Sequence, residues 1–355
     1  MILSRSQTIL ALAFLLTLGC NNDASKPTNN RIKLQGSGAS FPAPLYMRWF
    51  QDYSKKTAGV TVDYQAKGSG AGIKDLINET VDFAASDAAM TEEEISQVKR
   101  GVVMLPMTAG KIVLAFNLPD GPKELKLSRE AYAGIFSGKI SKWDDPVIAK
   151  CNEGTKLPSL DITVIVRSDS SGTTYVLSSH LSAISPAWKE NFGIEKSINW
   201  PSDPRFVKGP KNDGVTALIK QTPGAIGYIE YGFAKQTGLP VASLENQTGK
   251  YVLPTAESGL AALASATDMP ENLVLWLPDP QGDTSYPIVS YTWLLCYKDS
   301  SDPAKAAALK ELVRYCMGEG QKASESLGYI PLPDHVKERV LQALGSATTD
   351  SASTP

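Results

Sequence analysis

Three segments of the chain each pass from an apolar strand through a turn of small residues into a helix. The turns lie at residues 36–44, 68–72 and 167–173. Apolar residues recur at helical spacing after each turn, as Trp49 and Tyr53 do after the first. Because strand-length apolar runs alternate with such helices along the chain, the sequence predicts an α/β fold with largely parallel sheets.

The third turn carries the most explicit chemistry. A strand ending at Val166 leads into Arg167, and a helix is predicted to begin at Ser171, Gly172 and Thr173. The first N–H groups of a helix have no acceptor within the helix and carry a partial positive charge. Arg167 adds a permanent charge and a planar set of donors. We therefore predict that this stretch binds a small oxyanion.

The three turns share one position in the predicted fold with Asp87, which ends a short strand. Each lies where a strand ends and a helix follows. Ligands of open α/β sheets bind at the carboxyl ends of the strands. One glycine-rich turn is most often only a tight connection. Three such turns with serine or threonine, together with one arginine and one aspartate, favour a common binding site.

Composition excludes several classes of protein. The 355 residues are 42% apolar, which is enough for two ordinary domains. The net charge of −2 gives no support for binding to nucleic acid or to a membrane through a polybasic surface. Only two histidines occur, His180 and His335, and no CxxC is present. No metal or other cofactor is therefore predicted.

The sequence motifs of competing functions are absent. There is no GxxxxGK followed by serine or threonine, the turns do not fit GxGxxG, and no GxSxG supports a hydrolase elbow. A secreted hydrolase with Ser171 or Ser69 as nucleophile is an alternative, although neither histidine has a suitable partner nearby in sequence.

The N-terminus has the features of a targeting segment. Arg5 precedes an apolar run at residues 9–18, which is too short to span a bilayer. The run ends at Gly19 followed by Cys20, which resembles the lipobox of bacterial lipoproteins. We expect a signal peptide at 1–19, then the lipidated Cys20 and a flexible polar tether at 20–30. An ordinary signal peptide with a chance cysteine is the alternative.

Of the remaining cysteines, Cys296 falls in an apolar strand at 287–297 and Cys316 shares a helical face with Leu312. Both are expected to be small buried apolar residues. A disulfide between them is left open, since sequence does not give the geometry.

Further elements follow from periodicity and capping signals. Thr91, followed by three glutamates, is expected to cap a helix, and Asp302 to cap another. Two apolar strands are expected around residues 108–111. The expected bounds are strands at 60–64, 81–87, 102–105, 112–116, 162–166 and 225–229, and helices at 128–136, 256–266, 303–317, 321–327 and 335–344.

Six segments closely resemble the periplasmic phosphate-binding proteins of phosphate ABC transporters, the PstS family. In order, they are residues 36–46, 82–87, 141–145, 167–173, 224–231 and 331–334. The resemblance runs from about residue 34 to about residue 340, and the order and spacing of the motifs agree with the family.

The resemblance implies a two-lobed α/β binding protein with the type II periplasmic-binding-protein fold. Each lobe is expected to be a mixed, largely parallel sheet flanked by helices, with two crossing strands as the hinge. By position, lobe one comprises residues 31–106 and 289–345, and lobe two comprises residues 107–288. Residues 346–355 are expected to be a disordered tail.

The resemblance also implies the ligands of phosphate, each at a position that matches the family motif. They are Ser40, Phe41, Ser69, Asp87, Arg167, Ser171, Gly172 and Thr173. Asp169 matches an acidic residue that pairs with the arginine rather than with the ligand.

Asp87 is unusual beside an anion. Phosphate at neutral pH can retain a proton, and an ionised carboxylate can accept that proton in a hydrogen bond. Sulfate has no proton to offer and would be repelled. We therefore expect Asp87 to select a protonated oxyanion.

The implied function is high-affinity binding of inorganic phosphate and its delivery to the permease of an ABC transporter with a cytoplasmic ATPase. The protein is expected to be a monomer and not an enzyme. It is expected to be exported and held by the lipid on Cys20, in the periplasm or on the outer face of the cell membrane. Alternatives are a phosphate sensor or scavenger without a permease, and binding of another tetrahedral oxyanion.

Overall fold

The computed structural model describes residues 31–266 and 268–346. The predicted signal peptide, the lipidated Cys20 and the tether lie outside the described residues, as do residues 347–355 of the predicted tail. The last helix extends to Ser346, so the first residue of that predicted tail is helical. None of the described helices is long and apolar enough to cross a membrane.

The fold alternates strands with helices, as predicted. The strands are β1 (Ile32–Gly38), β2 (Val60–Ala66), β3 (Phe83–Ser86), β4 (Val102–Asn117), β5 (Lys126–Leu127), β6 (Thr163–Arg167), β7 (Phe206–Gly209), β8 (Ala225–Glu230), β9 (Ser243–Glu245), β10 (Tyr251–Val252) and β11 (Val289–Tyr297).

The helices occupy the connections between these strands. They are α1 (Ala43–Lys56), α2 (Ser69–Ile77), α3 (Glu92–Ser96), α4 (Arg129–Phe136), α5 (Pro146–Cys151), α6 (Gly172–Ile184), α7 (Pro186–Asn191), α8 (Lys211–Gln221), α9 (Tyr231–Thr237), α10 (Ala256–Ala264), α11 (Pro303–Met317) and α12 (Asp334–Ser346).

Eight of the described strands form one mixed sheet in the order β2-β1-β3-β11-β4-β8-β6-β7. Strands β2, β1 and β3 are parallel, as are β8, β6 and β7. Strands β11 and β4 are antiparallel to their neighbours and lie between these two groups. We call β2-β1-β3-β11 with helices α1 and α2 the first half, and β8-β6-β7 with helices α6 and α8 the second half. Strands β5, β9 and β10 form a separate small sheet.

Strand β4 joins the two halves. The sequence predicts two strands here, at 102–105 and 112–116, and this prediction was wrong because β4 is continuous over 16 residues. Its first part pairs with β11 as far as Lys111, and its second part pairs with β8 from Ile112. Backbone hydrogen bonds to β11 keep residues 108–111 in the extended conformation. Pro106 is accommodated at a bulge opposite Trp293, where a missing N–H is tolerated.

The two helix caps predicted from the sequence are confirmed. Thr91 forms the predicted capping box with Glu94, and Asp302 accepts from the first N–H groups of α11. The predicted helix at 321–327 is instead two short 3₁₀ segments, Glu319–Ala323 and Glu325–Leu327. The strand β7, the helices α5, α7 and α9 and the small sheet were not predicted from the sequence. These elements are short and only partly apolar, so they have little periodicity.

The core of the first half is rich in aromatic residues. Helix α1 buries Tyr46, Trp49 and Phe50, and the rings of Tyr46 and Phe50 lie 5.4 Å apart. The indole N–H of Trp49 donates to the carbonyl of Gly320 at 2.6 Å, which ties α1 to the C-terminal part of the chain. Aromatic burial thus anchors the helix that follows the first turn.

The two cysteines expected in the core are buried there as free thiols. Cys296 lies on β11 and Cys316 on α11. Burial raises the pKa of Cys296 to about 12 and that of Cys316 well above its usual value. Both thiols therefore stay protonated at neutral pH.

Trp49→Ala is expected to destabilise the protein by about 3–5 kcal/mol, because it opens a large cavity and removes the hydrogen bond to the Gly320 carbonyl. Urea unfolding followed by circular dichroism measures the change. Met47→Ala on the same helix is the control, since Met47 is 52% exposed and its loss is expected to cost less than about 0.5 kcal/mol. Equal losses for the two variants would contradict the anchoring role of Trp49.

Candidate functional site

Four helix starts meet where the parallel strands end. Ser40 precedes α1, Ser69 begins α2, Thr173 lies in the first turn of α6, and Asn212 lies in the first turn of α8. All four side chains are buried. The side-chain amide of Asn212 donates to Ser40 Oγ at 3.0 Å and to Thr173 Oγ1 at 3.1 Å. Helices α1, α6 and α8 thus point their partly positive ends at one place.

The second and third turns meet at Gly172. A Cβ atom on Gly172 would lie 2.5 Å from Ser69 Oγ and 2.6 Å from Asp87 Cβ. No side chain fits in that space, so glycine is required here by close approach. The backbone N–H of Asp87 donates to Ser69 Oγ at 3.1 Å. The predicted ligands Ser69, Asp87 and Gly172 are therefore in direct contact.

Two further contacts lie beside this cluster, and the first of them joins the two halves. The N–H of Gly70 donates to the carbonyl of Ser170 at 3.1 Å. Lys196 forms a partly buried ion pair with Glu94. The halves are thus in contact around the cluster, and its polar groups are shielded from water.

Arg167 uses only part of its set of N–H donors within the described residues. Its Nε and Nη2 atoms donate to the two carboxylate oxygens of Asp169, at 2.9 and 2.6 Å. Its side chain is only 2% exposed. The buried Nη1 atom has no hydrogen-bond partner within the described residues. Because an unpaired buried cationic donor is costly, Nη1 is a strong candidate to bind an anion.

Asp169 holds Arg167 in place. Burial disfavours its charged form, but the bonds from Arg167 outweigh this and keep the pKa of Asp169 below its usual value. The same carboxylate accepts from the N–H of Lys211 at 2.8 Å. Asp169 therefore links the end of β6 to the start of α8, and the structure places it beside the arginine as the family motif implies.

Asp87 is the acidic group of the cluster and is 1% exposed. Burial raises its pKa to about 7, although the hydrogen bond from Thr292 and the charge of Arg167 act in the opposite direction. Thr292 Oγ1 donates to Asp87 Oδ1 at 2.8 Å. A carboxyl group with this pKa can accept or release a proton near neutral pH.

The remaining predicted ligands lie in the same turns. Ser171 caps α6, because its Oγ accepts from the N–H of Thr174 at 3.1 Å. The Phe41 side chain is fully buried, and its carbonyl accepts from the hydroxyl of Tyr329 at 2.7 Å. Phe41 directly follows Ser40, so its N–H lies at the start of α1.

Sequence analysis missed three buried residues of this cluster: Asn212, Thr292 and Tyr228. The Tyr228 hydroxyl accepts from the N–H of Arg167 at 3.1 Å and lies 2.6 Å from Thr174 Oγ1. A fourth strand, turn and helix unit, formed by β7 and α8, would have pointed to Asn212. Its strand is only partly apolar, so the signal was weak.

The hydrolase alternative gains no support from the histidine geometry. His180 is buried, with Nε2 2.9 Å from the Tyr132 hydroxyl and Nδ1 2.6 Å from the Pro278 carbonyl. Burial lowers its pKa to about 4. Both ring nitrogens are thus engaged away from Ser69 and Ser171. Over residues 31–266 and 268–346, no cluster of His, Cys, Asp and Glu could hold a metal ion.

Comparison with solved structures shows the fold. The chain superposes on a high-affinity periplasmic phosphate-binding protein, PfluDING, bound with phosphate, with a TM-score of 0.73 and 21% identity. That match covers 91% of this chain and 100% of the other. A phosphate-binding protein from Stenotrophomonas maltophilia gives a TM-score of 0.68 at 22% identity, covering 87% and 93%. The fold is therefore the α/β type II periplasmic-binding-protein fold.

Sequence comparison shows the family. Residues 23–319 match the model of the PBP superfamily domain. The phosphate-binding protein PstS of Pasteurella multocida is 40% identical over 315 residues, covering 88% of this chain and 90% of that protein. The PstS of Haemophilus influenzae is 38% identical, covering 91% and 94%. The chain thus belongs to the PstS family of phosphate-binding proteins, within the PBP superfamily.

Proposed function

We propose that this protein binds inorganic phosphate with high affinity between the two halves of its fold and delivers it to the permease of an ABC transporter. It is a binding protein and not an enzyme, in keeping with relatives that are named phosphate-binding proteins. The observation that carries the proposal is the buried, unpaired Nη1 of Arg167 beside converging helix starts. A desolvated anion is the partner that such donors require.

Each phosphate oxygen would receive donors from the turns. The hydroxyls of Ser40, Ser69, Ser171 and Thr173 and the N–H groups of Phe41, Gly172 and Thr173 are the proposed neutral donors, listed here with the cationic donor Arg167. Asp87 would accept the proton that phosphate retains. The donors would replace the water that solvates the anion, and the carboxylate of Asp87 would accept its proton.

Closure would occur between two lobes, residues 31–106 with 289–345 and residues 107–288. Strand β4 and the chain entering β11 pass between them and would form the hinge. Support comes from the pairing of β4, which changes partner from β11 to β8 between Lys111 and Ile112. Donors from both lobes would meet around phosphate only in the closed state.

The protein would be an exported monomer, held at a membrane by lipid on Cys20 and coupled to permease subunits with a cytoplasmic ATPase. Support for export comes from the targeting features of residues 1–20 and from the periplasmic relatives of the fold. A lipid anchor would keep the binding protein close to its permease.

Selection by Asp87 leads to a first prediction. Wild-type protein is expected to bind phosphate at least about 100-fold more tightly than sulfate, because a like-charge contact costs several kcal/mol and 1.4 kcal/mol is tenfold. Asp87→Asn keeps the volume of the side chain and removes its charge. The ratio of phosphate affinity to sulfate affinity is therefore expected to fall at least about tenfold. Isothermal titration calorimetry with both anions at about pH 8.5, where Asp87 is ionised and phosphate still retains one proton, measures the ratio of affinities.

The exposed Asp63 provides the control for this experiment. Its carboxylate is 56% exposed and pairs with Lys33 at 2.7 Å, so Asp63→Asn is expected to keep the wild-type preference. An unchanged preference in Asp87→Asn, or equal wild-type affinities for the two anions, would refute the role given to Asp87.

The forked guanidinium leads to a second prediction. Arg167→Lys keeps a positive charge but cannot hold Asp169 and phosphate together, so phosphate affinity is expected to fall at least about 30-fold. Arg205 is the matched control, because it also pairs with an aspartate two residues away and lies outside the cluster. Its Nε and Nη2 atoms donate to Asp203 Oδ2 at 3.1 and 2.6 Å. Arg205→Lys is expected to leave affinity unchanged. Calorimetry showing similar losses in both variants would place the site elsewhere.

The pKa of Asp87 leads to a third prediction, for protein without phosphate. The pKa of Asp87 is about 7 in the folded protein and about 4 in the unfolded chain, so folding favours the protonated carboxyl group. The contribution of Asp87 to the free energy of unfolding therefore becomes less favourable as the pH rises from about 4 to about 7. The Asp87→Asn variant has no carboxyl group at this position and therefore does not show this pH-dependent loss of stability. The variant's advantage in free energy of unfolding is therefore expected to grow over that range and to be constant above it. Urea unfolding at stepped pH measures the difference, and a pH-independent difference would contradict the assignment.

A further inference from the structure

We infer that Asn212 is a positioning residue that turns the hydroxyl protons of Ser40 and Thr173 toward the bound anion. The inference rests on the proposed phosphate site and adds a residue that does not match any family motif used above. Asn212 is 0% exposed, lies in the first turn of α8 and contacts residues of both halves.

The orientation of the Asn212 amide is determined by its partners. Its Oδ1 accepts from the backbone N–H of Glu230 at 2.9 Å, and a backbone N–H can only donate. The NH₂ group must therefore face the other way, toward Ser40 Oγ and Thr173 Oγ1. Asn212 is thus an obligatory donor to both hydroxyl oxygens.

The contacts with Asn212 leave the Ser40 hydroxyl able to act only as a hydrogen-bond donor. A hydroxyl has two acceptor lone pairs and one proton. Ser40 Oγ receives the backbone N–H of Asn212 at 3.1 Å and the side-chain amide at 3.0 Å. With both acceptor positions occupied, Ser40 can only donate, and its proton is available to an anion.

Thr173 is restricted at one of its two acceptor positions. Its Oγ1 receives the second N–H of the Asn212 amide at 3.1 Å, which directs the hydroxyl proton away from Asn212. Ser40 belongs to the first half and Thr173 to the second, so a single amide prepares one donor from each side. Because Ser40 lies in the proposed lobe one and Asn212 in lobe two, this contact belongs to the closed state, and a donor that is held in one orientation there contributes more to binding than one that is free to rotate.

The position of Asn212 is itself held by the arginine pair. The N–H of the preceding residue, Lys211, donates to Asp169 Oδ1, and Asp169 also binds Arg167. Lys211 has a φ of 57°, a conformation that few residues other than glycine adopt. The contact with Asp169 helps to maintain that turn, so the arginine and the amide are positioned together.

The test is a mutant cycle in phosphate affinity, measured by calorimetry on the purified protein. Asn212→Ala is expected to weaken phosphate binding about 10- to 100-fold, since two hydroxyl donors lose their orientation. In a Ser40→Ala/Thr173→Ala background, the same substitution is expected to change affinity less than about threefold. Asn212→Leu keeps the approximate volume of the side chain but has no donors, so it is expected to lose the same phosphate affinity as Asn212→Ala. The cycle can therefore be completed even if Asn212→Ala does not fold.

Asn246 provides the matched control. It is also 0% exposed, and its amide donates to the carbonyls of Gly282, Asp283 and Ser285, away from the cluster. Asn246→Ala is expected to lower the unfolding temperature without changing phosphate affinity.

The outcomes separate this inference from the proposed function. Wild-type protein that does not bind phosphate would refute both. Wild-type binding with unchanged affinity in the Asn212 variants would refute the inference alone. An equal loss in the normal and the double-variant backgrounds would also refute it, since Asn212 would then act without the hydroxyls.

Discussion

The burial of the Arg167 guanidinium is the interaction on which the site depends. A buried cation must be neutralised, and Asp169 provides this through two short hydrogen bonds. The Nη1 amino group has no partner among the described residues, and the helix starts around it add further positive potential. The fold can maintain this arrangement because the guanidinium is locked by Asp169 and its backbone N–H is bonded to Tyr228.

Strand β4 gives the site its geometry. It pairs with β11 along its first part and with β8 along its second, so two parallel groups of strands extend from one continuous element. The bulge opposite Trp293 accommodates Pro106, and the neighbouring Thr292 donates to Asp87. The same strand pairing that unites the fold therefore also holds the acidic group of the site.

Much of the fold was predictable because its signals are local. The helix caps predicted at Thr91 and Asp302 need only the residues of the first turn, and the structure has both. Asn212 and Thr292 could not be predicted this way. Asn212 bonds to a residue 172 positions away, and Thr292 to one 205 positions away. Neither has a neighbouring residue that marks its role, because that role consists of tertiary contacts.

The sequence by itself determined the alternation of the main strands and helices, the small residues of the turns, and the presence of one arginine and one aspartate at strand ends. These follow from periodicity and local backbone chemistry. Only the tertiary structure decided that the turns meet at Gly172, that Nη1 of Arg167 has no partner among the described residues and that the pKa of Asp87 rises to about 7. Desolvation and donor geometry depend on how distant segments pack, and no local pattern carries that information.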